Sequence, residues 1–331
     1  MWWLILIYLA VTGLVVLCAV SISSILDQLD KRTKISSVFL GGLVLAIVTS
    51  LPDLFTAISS VCFIKEPNLA YGGILGGNIV NLAILGCFMA ICFKLYSQTQ
   101  INKRFLITTI SSLIIAVMLF AYSYISQSFV IPAINVNALS IIIVAVYALM
   151  LYLNRGDIKQ STAETISTYR YSIKQLVLFF VLSAISLIAL AIGLSYITNV
   201  LADFYMIDKN LAGALFLGLS TALPEIVTTI VFIRKKNFNL AVSSIVGSVA
   251  FNWLILVVSD IFFFGGSIFM KGTSAQLLTG FLTISLALTS ISIFANSFAK
   301  DRSKWRWLYC SIGVLIVLLT ITYLVLSFIY I

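Results

Sequence analysis

Asp53 and Glu225 stand inside long apolar stretches, each directly after a proline, in the runs VTSLPD from Val48 and STALPE from Ser220. A carboxylate at mid-membrane depth costs about 2.5–3.5 kcal/mol on insertion scales, so its default reading is functional, facing a cavity or a partner. No Lys or Arg is placed at comparable depth, which leaves both acids without a basic partner. A cation held between them satisfies both; otherwise one must be protonated. Proline removes a backbone donor and clashes with the carbonyl four residues earlier. Pro52 would therefore loosen the carbonyl of Val48, and Pro224 that of Ser220. Such carbonyls are tolerated where they line a cavity.

Neutral oxygens surround the acids. Thr49 and Ser50 precede Asp53 by four and three residues, and Thr221 precedes Glu225 by four, so each shares the face of its acid. Further on, Asn78 and Asn81 are spaced i, i+3, and Ser248 and Asn252 i, i+4. Taken singly, each proline reads as a kink and each amide or hydroxyl as a helix–helix hydrogen bond. Together, Thr49, Ser50, Asp53, Asn78, Asn81, Thr221, Glu225, Ser248 and Asn252 form an all-oxygen set. Such a set suits calcium, sodium and similar ions, not zinc or copper. Two carboxylates offset one divalent ion or two monovalent ones, and competition for one set of oxygens is the simplest physical basis for obligate exchange.

The elements that must position these residues are membrane helices. Of 331 residues, 61% are hydrophobic and 9% charged, with a mean hydropathy of +1.14. An average soluble domain is about 25% charged. Apolar runs long enough to cross a bilayer, about 20 residues each, predict ten helices: 3–26, 35–64, 69–94, 104–125, 129–153, 174–200, 207–233, 240–264, 274–297 and 306–330. No basic residue precedes the first run, and no small-residue cleavage pattern ends it before Asp27–Lys34, so it reads as a span and not a signal peptide. Of the 20 Lys and Arg, only Lys65, Lys209 and Lys271 fall on one set of alternate connections; all others fall on the opposite set. The positive-inside rule places that opposite set in the cytoplasm and both termini on the extracytoplasmic side.

The chain also resembles itself. GGLVLAIVTSLPDLFTAI from Gly41 aligns with GALFLGLSTALPEIVTTI from Gly213 at an offset of 172. LAYGGILGGNIVNLAIL from Leu69 aligns with LAVSSIVGSVAFNWLIL from Leu240 at an offset of 171. The first block enters from the cytoplasm and its counterpart from outside, so like sequence crosses the membrane in opposite directions. Inverted repeats of this kind bind substrate near the bilayer midplane on broken helices. The expected fold class is thus all-α and polytopic, ten transmembrane helices in two inverted-topology five-helix repeats. Its parts are 1–153 (motif 41–86), a cytoplasmic connection 154–173, and 174–331 (motif 213–257). The glycines Gly72, Gly73, Gly76 and Gly77 give the third helix a face for close packing.

Other chemistries find little support. There is no histidine, and Cys18, Cys62, Cys87, Cys92 and Cys310 lie in or beside apolar runs without metal or disulfide spacing. The net charge of +9 is accounted for by topology, without nucleic acid. No hydrolase constellation or cofactor motif is visible in the spans, so neither an enzyme nor a cofactor is expected.

At its paired motifs the sequence resembles the cation/calcium exchanger superfamily, whose alpha-repeats run close to G-T-S-x-P-E and G-S-N-x-x-N/D. Here these appear as VTSLPD and GGNIVN, and as STALPE and GSVAFN. The resemblance implies that Thr49, Ser50, Asp53, Asn81, Thr221, Glu225, Ser248 and Asn252 occupy ion-binding positions. It also implies alternating access, with the first and sixth helices sliding against the rest. Asp53 replaces the usual glutamate, Ala222 and Gly77 replace serines, Val249 an asparagine, and Asn252 an aspartate common in sodium/calcium exchangers. The expected function is a secondary antiporter exchanging calcium for sodium. The alternatives are a proton-coupled cation antiporter on the same fold, a cation channel, and a non-transporting membrane sensor. The expected partners are inorganic cations and the lipid bilayer, with no obligate protein partner. The expected location is a prokaryotic plasma (inner) membrane.

Overall fold

A computed structural model describes residues 2–33, 49–125, 129–131, 136–154, 172–234 and 238–330. The predicted start of the second helix, with Gly41 and Val48, and most of the central connection lie outside the described residues. The helices are α1 (Trp2–Thr33), α2 (Leu51–Ser59, continued by a π-helical turn Ser60–Ile64), α3 (Pro67–Ile91), α4 (Phe93–Gln98), α5 (Arg104–Tyr122), α6 (Ala138–Leu153), α7 (Ile173–Tyr205), α8 (Lys209–Ala212), α9 (Leu219–Arg234), α10 (Phe238–Phe262), α11 (Thr273–Phe298) and α12 (Arg306–Tyr330). Among the described residues, eight helices are long and apolar enough to cross a membrane, one of them the run Lys209–Arg234; Leu51–Ile64 and Ala138–Leu153 are shorter apolar helices. Helices are the expected solution, because in lipid each backbone N–H and C=O must be satisfied within its own segment.

Several predicted boundaries move. The first helix runs on to Thr33 and the sixth to Tyr205. The third stops at Ile91, where Cys92 breaks it before α4. The largest correction is at 129–137, predicted as helix. Val130–Ile131 (β1) pairs antiparallel with Val136–Asn137 (β2), and α6 begins only at Ala138. Asn137 sets that start: its side chain accepts from Leu139 N at 3.0 Å as an N-cap. Pro52 is also placed differently from expectation. The backbone breaks at Ser50 (φ −89°, ψ 6°), so Pro52 lies in the first turn of α2 and not mid-helix. There its missing N–H leaves no helical bond unmade. Pro224 does sit inside α9, and a π-helical turn, Gly213–Gly218, precedes that helix.

The helices that carry the motifs are the enclosed ones. α3 and α10 are the most buried spans, whereas α1, α7 and α12 turn broad apolar faces outward, with Leu178, Ile185, Leu318 and Phe328 among the exposed side chains. A continuous apolar exterior of this kind is a lipid-facing surface and not a soluble one. α1 lies along α7 through a cluster that includes Val15, Ile22, Leu187 and Leu194. α12 packs on α3, α6 on α10, and α5 on α11.

The glycine face of α3 has a definite purpose. A Cβ on Gly76 would lie 2.3 Å from Ala214 Cα, and one on Gly218 would lie 2.5 Å from Gly77 N. Backbone therefore meets backbone between α3 and the turn at 213–218, which brings α9 beside α2. Gly76→Ala would push against the main chain and the short methyl of Ala214, neither of which can swing aside. It is expected to destabilise the fold by at least the roughly 1–3 kcal/mol typical of overpacking. Thermal unfolding in detergent checks this, with Gly13→Ala, which meets nothing within 4 Å, as the neutral control.

Candidate cation-binding site

All nine residues singled out in the sequence are buried, Asp53 at 3% exposure and Glu225 at 0%. Asp53 sits in the first turn of α2, just past the break at Ser50. Glu225 follows Pro224 in α9. The two carboxyl groups lie within electrostatic reach of each other. Neither forms an ion pair among the described residues, where the pairs are Lys209–Asp203 and Lys304–Asp301.

The donors cross between the two motifs. Glu225 Oε1 accepts from Ser50 Oγ of the first motif at 3.4 Å and from Ser248 Oγ of α10 at 3.2 Å. Thr49 Oγ1 and Ser248 Oγ are 3.4 Å apart. Asp53, in turn, is bordered by Thr221 and Asn252, both from the second motif. A Cβ on Gly77 would stand 3.6 Å from Asp53 Oδ1 and 3.8 Å from Asn252 Nδ2, so this glycine makes room beside the acid. Asn252 Nδ2 donates to Asn78 Oδ1 at 2.9 Å, which joins α10 to α3. Asn81 follows on the same helical face as Asn78.

Unmatched buried polar atoms gather at this place, although others occur elsewhere in the fold. Asp53 Oδ2, Glu225 Oε2, Asn252 Oδ1 and both polar atoms of Asn81 are buried without a hydrogen-bond partner among the described residues. Leaving a buried acceptor unmatched costs about 1–3 kcal/mol, more when it is charged. The hydroxyl contacts to Glu225 exceed the roughly 2.7–2.8 Å of a tight O–H···O bond, so they border the carboxylate without saturating it. Thr221 donates its proton to Leu217 O at 2.8 Å, leaving only lone pairs to offer. Two carboxylates, several neutral oxygens and free acceptor positions are the chemistry that receives a hard cation. Among the described residues no three His, Cys, Asp or Glu side chains gather; the donors at this site are oxygens, which suit hard cations.

The structure adds residues that the motifs did not reveal. Tyr8 on α1 donates to Phe216 O at 3.0 Å and lies 2.6 Å from Ser220 Oγ, which is 3.0 Å from Thr12 Oγ1. Tyr8 and Thr12, spaced i, i+4, thereby tie α1 to the residue preceding Thr221; that spacing was a visible signal. Ser195 of α7 donates to Thr56 O at 3.1 Å, one turn beyond Asp53. A third acid, Asp260, is also fully buried, within the predicted eighth span. It differs in kind, because Asn137 N (2.9 Å), Ser140 Oγ (2.7 Å) and Ile268 N (3.1 Å) all donate to it.

The chain is similar to known membrane proteins in sequence and fold. The family model described as sodium/calcium exchanger protein matches residues 2–155 and 175–329. The inner membrane protein YrbG of Escherichia coli (strain K12) is 24% identical over 231 residues, covering 67% of this chain and 68% of that protein. The H+/Ca2+ exchanger CAX superposes with a TM-score of 0.64 at 15% identity, covering 98% of this chain and 90% of its own. The sodium-calcium exchanger NCX_Mj does so with 0.58 at 16% identity, covering 97% and 98%. These two structural likenesses speak to the fold.

Proposed function

The chain belongs to the sodium/calcium exchanger protein family, and on that premise we propose that it is a secondary antiporter exchanging calcium for sodium across the membrane by alternating access. The observation that carries this reading is the pairing of Asp53 and Glu225, one from each motif. Each is buried, and among the described residues each is free of a basic partner and has a carboxylate oxygen to which nothing donates.

Each residue then has a role. Asp53 and Glu225 supply the two charges that one calcium ion, or two sodium ions, neutralise. Thr49, Ser50, Thr221 and Ser248 supply hydroxyl oxygens, and Asn78, Asn81 and Asn252 supply or orient amide oxygens. Because both loads need the same oxygens, they exclude one another. A protein that reorients only when the charges are matched moves one against the other. The halves 1–153 and 174–331 act as inverted repeats, and the crossed donors support this: Ser50 serves the acid of the second motif, while Thr221 borders that of the first. α1 and α7 touch the motif helices through few polar contacts, chiefly Tyr8 and Thr12 on one side and Ser195 on the other, which suits elements that slide. In this reading both termini face the extracytoplasmic side of a prokaryotic inner membrane, and the partners are the transported ions and the lipid, with no obligate protein partner.

Protons could replace sodium as the counter-load, since Asn252 leaves the site with two acids and two protons would discharge both. Calcium uptake into proteoliposomes decides between them. An outward sodium gradient at uniform pH is expected to drive uptake, and a pH gradient without sodium is not. Uptake driven by pH alone and indifferent to sodium would overturn sodium coupling; uptake under neither gradient would overturn exchange itself.

A further inference from the structure

Many buried hydroxyls in these helices donate to the carbonyl four residues back, as Thr56, Thr221, Ser259, Thr279 and Thr289 do at 2.6–2.9 Å. Five buried Ser and Thr hydroxyls have no partner among the described residues, those of Ser59, Ser112, Ser327, Thr229 and Ser244; of these, Thr229 of α9 and Ser244 of α10 lie on the helices that carry Glu225 and Ser248. Each is 1% exposed, and each hydroxyl is without a hydrogen-bond partner among the described residues.

The helical register places these two groups together. α9 ends at Arg234 and α10 begins at Phe238, so they form an antiparallel pair. Ser248 Oγ donates to Glu225 Oε1 across that pair. Four residues further along α9 is Thr229, and four residues back along α10 is Ser244. They therefore fall opposite one another, one turn (about 5.4 Å of axis) closer to the connection that carries Arg234, Lys235 and Lys236. Thr229 also shares the face of Glu225, whose Oε2 is itself unmatched. By the repeat offsets, the corresponding positions in the first half are Ala57 and Gly73, which carry no side-chain oxygen. A Cβ on Gly73 would stand 3.2 Å from Leu217 Cβ, so that side is closed by apolar packing.

We propose that Thr229 Oγ1 and Ser244 Oγ, with Glu225 Oε2, form an accessory station for an alkali-metal cation between α9 and α10. It lies one turn from the main site on the basic, cytoplasmic face. Two neutral hydroxyls and one oxygen of Glu225 offer at most one negative charge, and only while the main site holds no calcium, which suits a monovalent ion over calcium. The station makes exchange sided: a sodium ion entering from the basic face meets a hydroxyl step before the acids, and one entering from the other face meets Ala57 and Gly73. This inference rests on the exchange reading for what the main site binds.

Thallium(I), a dense stand-in for alkali cations, tests it in crystals of the full chain. The expected result is an anomalous peak in contact with both hydroxyls, separate from density at Asp53 and Glu225 and lost in Thr229→Val/Ser244→Ala. Peaks confined to Asp53 and Glu225, or water density alone between the hydroxyls, overturn the station and leave the exchange reading intact. If neither position takes up thallium, both readings fall. In inverted vesicles the double variant is expected to weaken half-saturation by sodium about tenfold from the basic face. From the opposite face it should leave sodium half-saturation unchanged. An equal loss on both faces, or none, counts against the station.

Discussion

Asp53→Asn and Glu225→Gln are each expected to lower calcium exchange at least about 100-fold while leaving the cation-free protein as stable as the parent or more so. The two effects have one cause. With calcium bound, each carboxylate supplies half of the compensating charge in a site shielded from water. Removing one partner of a buried charge pair costs about 3–5 kcal/mol, which exceeds a hundredfold in affinity. Without calcium the sign reverses. Asp53 Oδ2 and Glu225 Oε2 have no donor among the described residues, and a neutral amide removes a like charge from beside its neighbour. Ligand-dependent thermal unfolding separates the two effects. Calcium at about a hundred times its Kd should stabilise the parent by about 2.7 kcal/mol and should barely shift either variant. Variants that still exchange calcium at parental rates, or that melt well below the parent in chelator, would remove these acids from the ion site.

How much of this was legible depends on what each feature costs. The acids could be read because a charge in lipid is so unfavourable that sequences seldom contain one without a use. Thr49, Thr221, Ser248 and Asn252 could be read because helical spacing puts them on the face of an acid or of one another. The grouping around those acids followed from the repeat. Helix ends were less visible, since they depend on partners remote in the chain. The start of α6 is set by Asn137, whose backbone N–H is taken by Asp260, 123 residues away. The break at Ser50 moved Pro52 from a kink to a helix start, and nothing in a continuous apolar pattern signals that. The glycines of α3 announced close packing but not their partner, because the turn at 213–218 reaches them from the other half. In the sequence Asp260 stands near the end of its predicted span, where an acid resembles an ordinary interfacial charge. Its three donors, at 137, 140 and 268, come together only in three dimensions.

Asp260 is the counter-example that gives the ion-site argument its discriminating power. Asp260→Ala is expected to destabilise the protein more than any substitution at Asp53 or Glu225, without altering calcium affinity in the molecules that still fold. Its Oδ2 receives Asn137 N and Ser140 Oγ, and its Oδ1 receives Ile268 N. One carboxylate thus pins β2, the start of α6 and the segment after α10. Alanine would strand three buried donors at about 1–3 kcal/mol each, on the order of half a typical folding stability of about 5–15 kcal/mol. Asn should be milder, because its remaining oxygen can keep the Asn137 and Ser140 bonds while its NH2 faces Ile268 N–H. Ser140→Ala, which removes one donor and leaves the acid bonded, should cost about 1 kcal/mol. Unfolding temperatures for the three variants, measured beside calcium titrations of the folded fraction, settle the matter. A buried acid saturated by donors should register in stability, and one with unmatched oxygens should register in cation binding. If Asp260→Ala kept the parental unfolding temperature and lost calcium, Asp260 would belong to the ion path, and hydrogen-bond saturation would no longer separate structural acids from transporting ones in this protein.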